Sequence, residues 1–437
     1  MEPADSIITA DWIVPVEPHD TVLTDHAIVV RDGLIEAIVP ITEAESRYQP
    51  EQRFDRPGHV ITPGLINAHT HSPMGLLRGM ADDLPLMTWL TEHMWPAEQA
   101  NVSAEYVQRG SELAIAEMLR GGTTLFSDMY FFPEATARAA RRAGMRAAVG
   151  MIMIDFASPY GDGPEDYIQK GLALHDEWRD DPMIQTLFTP HAPYSVAHEY
   201  LERLRTLADE LEVPIHTHVH ETAQEVSDGE AANGERPIAS LERLGLLNSD
   251  LIAVHMTQLT DDEIQRVAAC GASVVHCPES NLKLASGFCP VKALLDAGIN
   301  VALGTDGAAS NNDLDMIGEM RTAALLAKGV SADPAAASDA ATLRMATLNG
   351  ARALGLQDRI GSLVPGKEAD LIAVDLNAAA TQPVYNPISQ LIYAAGRDQV
   401  QDSWIAGQHV LSQGRLTTVD SDAAIHQAQL WRDKIQG

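Results

Sequence analysis

Apolar residues follow two rhythms along this chain. In the first sixty residues they fall in short β-branched runs, Ile7-Ile8-Thr9, Trp12-Ile13-Val14 and Ala27-Ile28-Val29-Val30, separated by Asp, Pro and Gly, which is the pattern of short strands. Arg31-Asp32-Gly33 reads as a hairpin turn, because Asp-Gly tolerates positive φ. From Val60 the rhythm changes to apolar runs that end in polar residues and lead into helical stretches. The runs are Val60–Ala68, Thr123–Met129, Arg146–Ile154, Ile184–Pro190, Val213–His218, Leu251–His255, Ala272–His276 and Asn300–Gly304. Between them Glu105–Leu119, Tyr200–Leu211 and Asp261–Ala269 carry apolar residues at three- and four-residue spacing. Eight strand–helix units in about 250 residues predict an α/β fold, a (β/α)8 TIM barrel. After Gly361 strands return at Ala369–Asp375 and Asp402–Gly407. Neither terminal segment is large enough to fold alone. Residues 1–59 and 362–437 are therefore expected to build one small composite β-sandwich domain beside a barrel domain at 60–361.

Composition narrows the function classes. The 437 residues carry a net charge of −31, with 45% hydrophobic and 21% charged positions. That is too apolar for disorder, and the negative charge disfavours a nucleic-acid partner. No apolar run approaches the length of a membrane span, and Met1-Glu2-Pro3-Ala4-Asp5 does not read as a secretory leader. Cys270, Cys277 and Cys289 match no zinc-knuckle spacing; free thiols in a reducing cytoplasm are the expectation.

The histidines carry more information. Eight of the sixteen fall at or just beyond the expected strand ends, and in a barrel those ends form the active-site face. In His69-Thr70-His71 both imidazoles point the same way and can reach one cation; two surface histidines in a turn would give the same string. His216-Thr217-His218-Val219-His220-Glu221 closes the fifth run. Parity puts His216, His218 and His220 on one face. His218 is the better ligand because Glu221 then stands beside a bound water, while His216 lies one layer deeper. Asp306 in Gly304-Thr305-Asp306-Gly307 ends the eighth run, where it can bind a metal and take a proton from its water, or cap the next helix. His191 and His255 end the fourth and sixth runs, each compatible with a structural role. His276 and Cys277 read as packing residues and Asn281 as a loop stabiliser.

Pro63-Gly64-Leu65-Ile66-Asn67-Ala68-His69-Thr70-His71, His218-Val219-His220-Glu221 and Gly304-Thr305-Asp306-Gly307 together resemble the metal-dependent amidohydrolase superfamily. Within it the chain is similar to the 5′-methylthioadenosine/S-adenosylhomocysteine deaminases. That closer likeness rests on Met74–Gly79, Leu86–Leu90, Trp95-Pro96-Ala97-Glu98 and Thr189–Ser195. It implies one divalent ion, zinc by preference, held by His69, His71, His218 and Asp306. Substrate contacts are implied for Glu98, His191, Glu221 and Asp306, and catalytic roles for Glu221, His255 and Asp306. The implied reaction is hydrolytic deamination of the adenine ring of 5′-methylthioadenosine, S-adenosylhomocysteine or adenosine by metal-activated water. Some relatives place an arginine after the third strand, where this chain reads Gly150-Met151-Ile152-Met153, so no arginine contact is transferred. No lysine ends the fourth strand to bridge two metals. Rival readings are an s-triazine hydrolase, a nucleobase deaminase and a metal-free scaffold. The apolar stretch from Met74 to Leu90 fits a methylthio pocket, loop core or a contact in a homo-oligomer.

Overall fold

The computed structural model describes residues 1–436. Its centre is an eight-stranded parallel sheet in chain order: Leu65–Thr70, Thr123–Asp128, Arg146–Met153, Ile184–Pro190, Ile215–Val219, Leu251–His255, Ser273–His276 and Asn300–Leu303. The ring closes between its first and last members. Asp306 N donates to His69 O at 3.0 Å, Thr305 N to Asn67 Oδ1 at 2.9 Å, and Asn67 Nδ2 to Thr305 Oγ1 at 2.7 Å. Small and branched side chains, among them Leu125, Ala148, Ile252, Val254, Val275 and Ala302, fill one core cluster. The helices expected between strands are present, for example Ala104–Arg120, His198–Leu211 and Asp261–Cys270. Among the described residues no helix is long and apolar enough to cross a membrane, and the three cysteines are free thiols.

Both termini supply a second, mixed eight-stranded sheet. The 31–33 turn joins His26–Arg31 to Leu34–Pro40 as an antiparallel hairpin, with φ of 53° at Asp32 and 75° at Gly33. At the centre of the sheet, Tyr48–Pro63 runs parallel to Glu2–Ile13 and antiparallel to Leu371–Asp375. One expected strand therefore divides. Val60–Pro63 ends this terminal strand, and the first barrel strand starts only at Leu65. Gly64 makes the corner: a Cβ there would lie 2.2 Å from Thr124 Oγ1, so only glycine lets the two strands come this close.

A buried ion pair joins sheet to barrel. Arg146, which opens the third barrel strand, donates from Nε to Asp370 Oδ2 at 2.6 Å and from its η2 nitrogen to Asp370 Oδ1 at 3.1 Å. It also pairs with Glu368. Asp370 Oδ1 accepts from Ala406 N at 2.7 Å as well, tying a second terminal strand to the same point. A C-terminal helix, Ser421–Gln436, was not expected from the sequence pattern; its Trp431 meets Tyr106 of Ala104–Arg120 edge-on at 5.3 Å.

Removing one member of a buried pair leaves the other charge without a partner. Arg146→Met is expected to lower unfolding stability by about 3–5 kcal/mol in urea denaturation. A loss below about 1 kcal/mol, the size typical of exposed ion pairs, would mean that this contact is not what joins the two parts.

Candidate active site

Side chains from four strands converge at the C-terminal mouth of the barrel. His69 ends the first strand with His71 just beyond it, His218 lies near the end of the fifth, His255 ends the sixth, and Asp306 follows the eighth. Asp306 Oδ1 is 3.2 Å from His71 Nε2 and 3.4 Å from His69 Nε2, and His218 Nε2 is 3.1 Å from His69 Nε2. Ligand atoms of His69, His71 and Asp306 all lie within 4.8 Å of one another, as do those of His69, His218 and His255.

Bonds on the outer nitrogens decide what the inner ones present. His71 Nδ1 donates to Met129 O and His218 Nδ1 to His191 O, each at 2.6 Å. A carbonyl only accepts, so each Nδ1 holds a proton and each Nε2 is the nitrogen left facing inward. Asp306 Oδ2 accepts from Ser280 Oγ at 2.6 Å and Ser310 Oγ at 3.0 Å, leaving Oδ1 to face the histidines. Positive φ at His255 (74°) and Asp306 (62°) turns these residues out of extended geometry where the strands end.

The inward nitrogens of His69, His71 and His218 and one carboxylate oxygen thus meet at the barrel mouth, with His69 between His218 and Asp306. Burial would depress His71, but Asp306 overrides it and lifts the imidazole to about 9. The cluster therefore draws positive charge. Ligands 2.0–2.2 Å from a tetrahedral ion stand about 3.3–3.6 Å apart, near the 3.1–3.4 Å of the His69–His218, His71–Asp306 and His69–Asp306 pairs. The donor set fits a zinc-type cation.

The surrounding residues form a cavity of about 1080 Å³, counted to its mouth. Glu221 stands beside the cluster, its Oε2 3.8 Å from His255 Nε2. Burial pushes its carboxyl up to about 8, helped by the Asp306 charge. His255 Nδ1 pairs with Asn281 Oδ1 at 2.8 Å. His191 Nδ1 lies 2.9 Å from Ser195 Oγ, and burial lowers this imidazole to about 3. Glu98, from the helix Trp95–Asn101, accepts from Tyr130 OH at 2.6 Å. Burial lifts Glu98 to about 7 against that bond. All the residues singled out for ligation, substrate contact or catalysis line or border this one cavity.

The neighbouring histidines separate. His216 lies beneath His69, its Nε2 2.9 Å from His69 Nδ1. His220 departs from the parity expectation: the strand ends at Val219, and φ of 53° at His220 turns its ring to the helix Pro237–Arg243, where Nε2 accepts from Ile238 N at 3.3 Å. His276 is buried with neither ring nitrogen bonded.

Three residues escaped the sequence reading or were underread by it. Glu225 receives the backbone N–H groups of His220 (2.9 Å) and Glu221 (2.6 Å) and so fixes the Glu221 backbone. Thr222-Ala223-Gln224-Glu225 has the capping-box pattern that could have flagged it. Asn281, read only as a loop stabiliser, holds His255. Tyr130, directly after a strand, had no motif to mark it.

Residues 60–410 match the amidohydrolase family. A 5-methylthioadenosine/S-adenosylhomocysteine deaminase of Saccharophagus degradans is 49% identical over 434 residues, 99% of this chain and 97% of that protein. The crystal structure of an adenosine deaminase from Xanthomonas campestris with bound zinc is 56% identical and covers 100% of this chain and 99% of its own, with a TM-score of 0.99. An atrazine chlorohydrolase from Arthrobacter aurescens complexed with zinc shares the fold at 24% identity, with a TM-score of 0.90 over 98% of this chain and 100% of that one. A parallel barrel with acceptor side chains gathered at its carboxyl mouth is the architecture of a metal-dependent hydrolase. The chain belongs to the amidohydrolase family.

Proposed function

We propose that this protein deaminates the adenine ring of 5′-methylthioadenosine, releasing ammonia and the inosine-type product, with S-adenosylhomocysteine a poorer substrate. The observation that carries the reading is the pairing, in one cavity, of the Glu221–Asp306 end with the Glu98–Tyr130 end. One suits attack on a ring carbon; the other suits a ribose diol. The deaminase names of the Saccharophagus and Xanthomonas proteins support the same assignment. In this reading residues 60–361 carry the chemistry, and 1–59 with 362–437 support them.

His69, His71, His218 and Asp306 would hold one zinc ion, which supplies a Lewis acid able to lower the pKa of water to about 7. Asp306 takes the proton from the water that attacks C6, and His255 orients that water. Glu221, protonated at neutral pH, donates to N1 as the ring loses aromaticity. Asp306 then returns its proton to the amino group. Ammonia leaves, Glu221 recovers a proton from the new C6 hydroxyl, and the carbonyl product keeps its proton on N1. His191 contacts the purine, and Glu98 accepts from the ribose hydroxyls while Tyr130 holds its other oxygen.

The walls of the cavity favour the methylthio substrate. Trp89, Trp95, Phe131, Ile152, Ile154 and Phe156 contribute to them, and among the described residues no lysine or arginine does. A thioether there buries apolar surface against aromatic rings. A zwitterionic amino-acid tail would leave its carboxylate without a counter-ion.

With zinc-loaded protein, conversion is read from the shift of adenine to hypoxanthine absorbance. Glu221→Gln is expected to lower kcat by about 10²–10⁴-fold while methylthioadenosine still binds. Near-normal turnover would remove Glu221 as the acid, and silence of the wild type on every adenosine analogue would redirect the assignment to triazines and free bases.

A general acid works only while protonated. The kcat/KM for methylthioadenosine should therefore fall about tenfold per unit above about pH 8, following Glu221. A profile flat to pH 10 would contradict this.

Methylthioadenosine should exceed S-adenosylhomocysteine in kcat/KM by about tenfold or more, corresponding to at least about 1.4 kcal/mol. Equal values would mean that the tail finds a partner outside these walls.

A further inference from the structure

The chemistry above leaves His216 unused, although it is buried directly behind the cluster. Its Nε2 lies 2.9 Å from His69 Nδ1 and its Nδ1 3.2 Å from Ser127 Oγ. All three side chains are fully buried, and among the described residues no other hydrogen bond engages the ring nitrogens of His216. We infer that His216 is a positioning residue that sets which nitrogen of His69 carries its proton, and through it the cation affinity of the cluster. The inference rests on the reading that this cluster holds a cation.

The chain Ser127–His216–His69 can be protonated in two directions with the same number of protons. In the outward direction His69 Nδ1–H donates to His216 Nε2, and His216 Nδ1–H donates to Ser127 Oγ. His69 Nε2 is then a lone pair, as a ligand atom must be. In the inward direction Ser127 Oγ–H donates to His216 Nδ1, His216 Nε2–H donates to His69 Nδ1, and the His69 proton sits on Nε2. There it covers the ligand atom and faces Asp306 Oδ1 at 3.4 Å. A cation selects the outward direction. His71 and His218 have no such freedom, because backbone carbonyls fix their tautomers. Among these three histidines, His69 alone has its tautomer set by another side chain. An acceptor behind a metal-bound imidazole holds the ring and raises its basicity, and loss of such a partner lowers metal affinity about 10–100-fold.

The test is zinc affinity, measured by competition with a chromophoric chelator on the full-length protein and two variants. His216→Leu keeps bulk but offers no acceptor; His216→Gln restores an amide oxygen near the place of Nε2. Leu is expected to weaken zinc binding about 10–100-fold and Gln to recover most of it. Circular dichroism of the zinc-free proteins controls for folding. Should Leu not fold, Ser127→Ala removes the last acceptor and is expected to weaken binding in the same direction by less than tenfold. Imidazole ¹⁵N shifts supply a reading that packing alone would not move: His216 should be protonated at Nδ1 in the zinc-loaded protein. Tight zinc binding by wild type, Leu and Gln alike overturns the inference and spares the cation reading. No zinc on the wild type overturns both.

Discussion

Acceptors do not gather without a reason, and the arrangement of this barrel turns on making them do so. Three imidazoles and a carboxylate stand in a buried site with 3.1–3.4 Å between successive members, an arrangement that a cation or a shared proton must hold together. Each member is held from behind by a group on another part of the fold. Met129 O follows the second strand, His191 O the fourth, Ser280 comes from the short helix Pro278–Lys283 after the seventh, and Ser310 from the turn after the eighth. The cluster is therefore as stiff as the register of the whole barrel. The Asn67–Thr305 bonds that close the ring help to hold it, although they touch no candidate ligand.

The same exclusion of water acts on the carboxyls. Burial raises Glu221 to about 8 and Glu98 to about 7, while the histidines hold Asp306 well below its ordinary range despite burial. Three carboxyls lining one cavity thus differ in protonation near neutral pH. That separation lets one group give a proton while another takes one. The apolar walls set these proton affinities, since a lower local dielectric strengthens each interaction.

What was legible in the sequence followed from strict periodicity. The eight parallel strands stood out because most of the apolar runs closed on, or led straight into, residues that a buried strand does not tolerate by default, histidine above all. The residues at those ends were legible for the same reason. The rest depended on contacts distant in the chain. Tyr48–Pro63 has too many polar positions to read as a central strand, and it exists because two partners flank it. The corner at Gly64 is dictated by Thr124, sixty residues on. His220 left its face because of a local backbone turn, which alternation cannot report. Glu225, Asn281 and Tyr130 act on other side chains or on backbone rather than through a motif of their own. A lone hydroxyl or amide carries no sign of its partner.

The central position of Tyr48–Pro63 has a consequence for how the chain reaches its fold. This strand pairs on one side with Glu2–Ile13, made shortly before it, and on the other with Leu371–Asp375. On a ribosome, the second edge stays unpaired until more than three hundred further residues have been synthesised, with the whole barrel between. Such long-range pairing slows folding, and an open strand edge invites pairing with other chains. The stretch that must wait, His59–Pro63, is five residues long and ends in proline, which limits the edge it offers during that time.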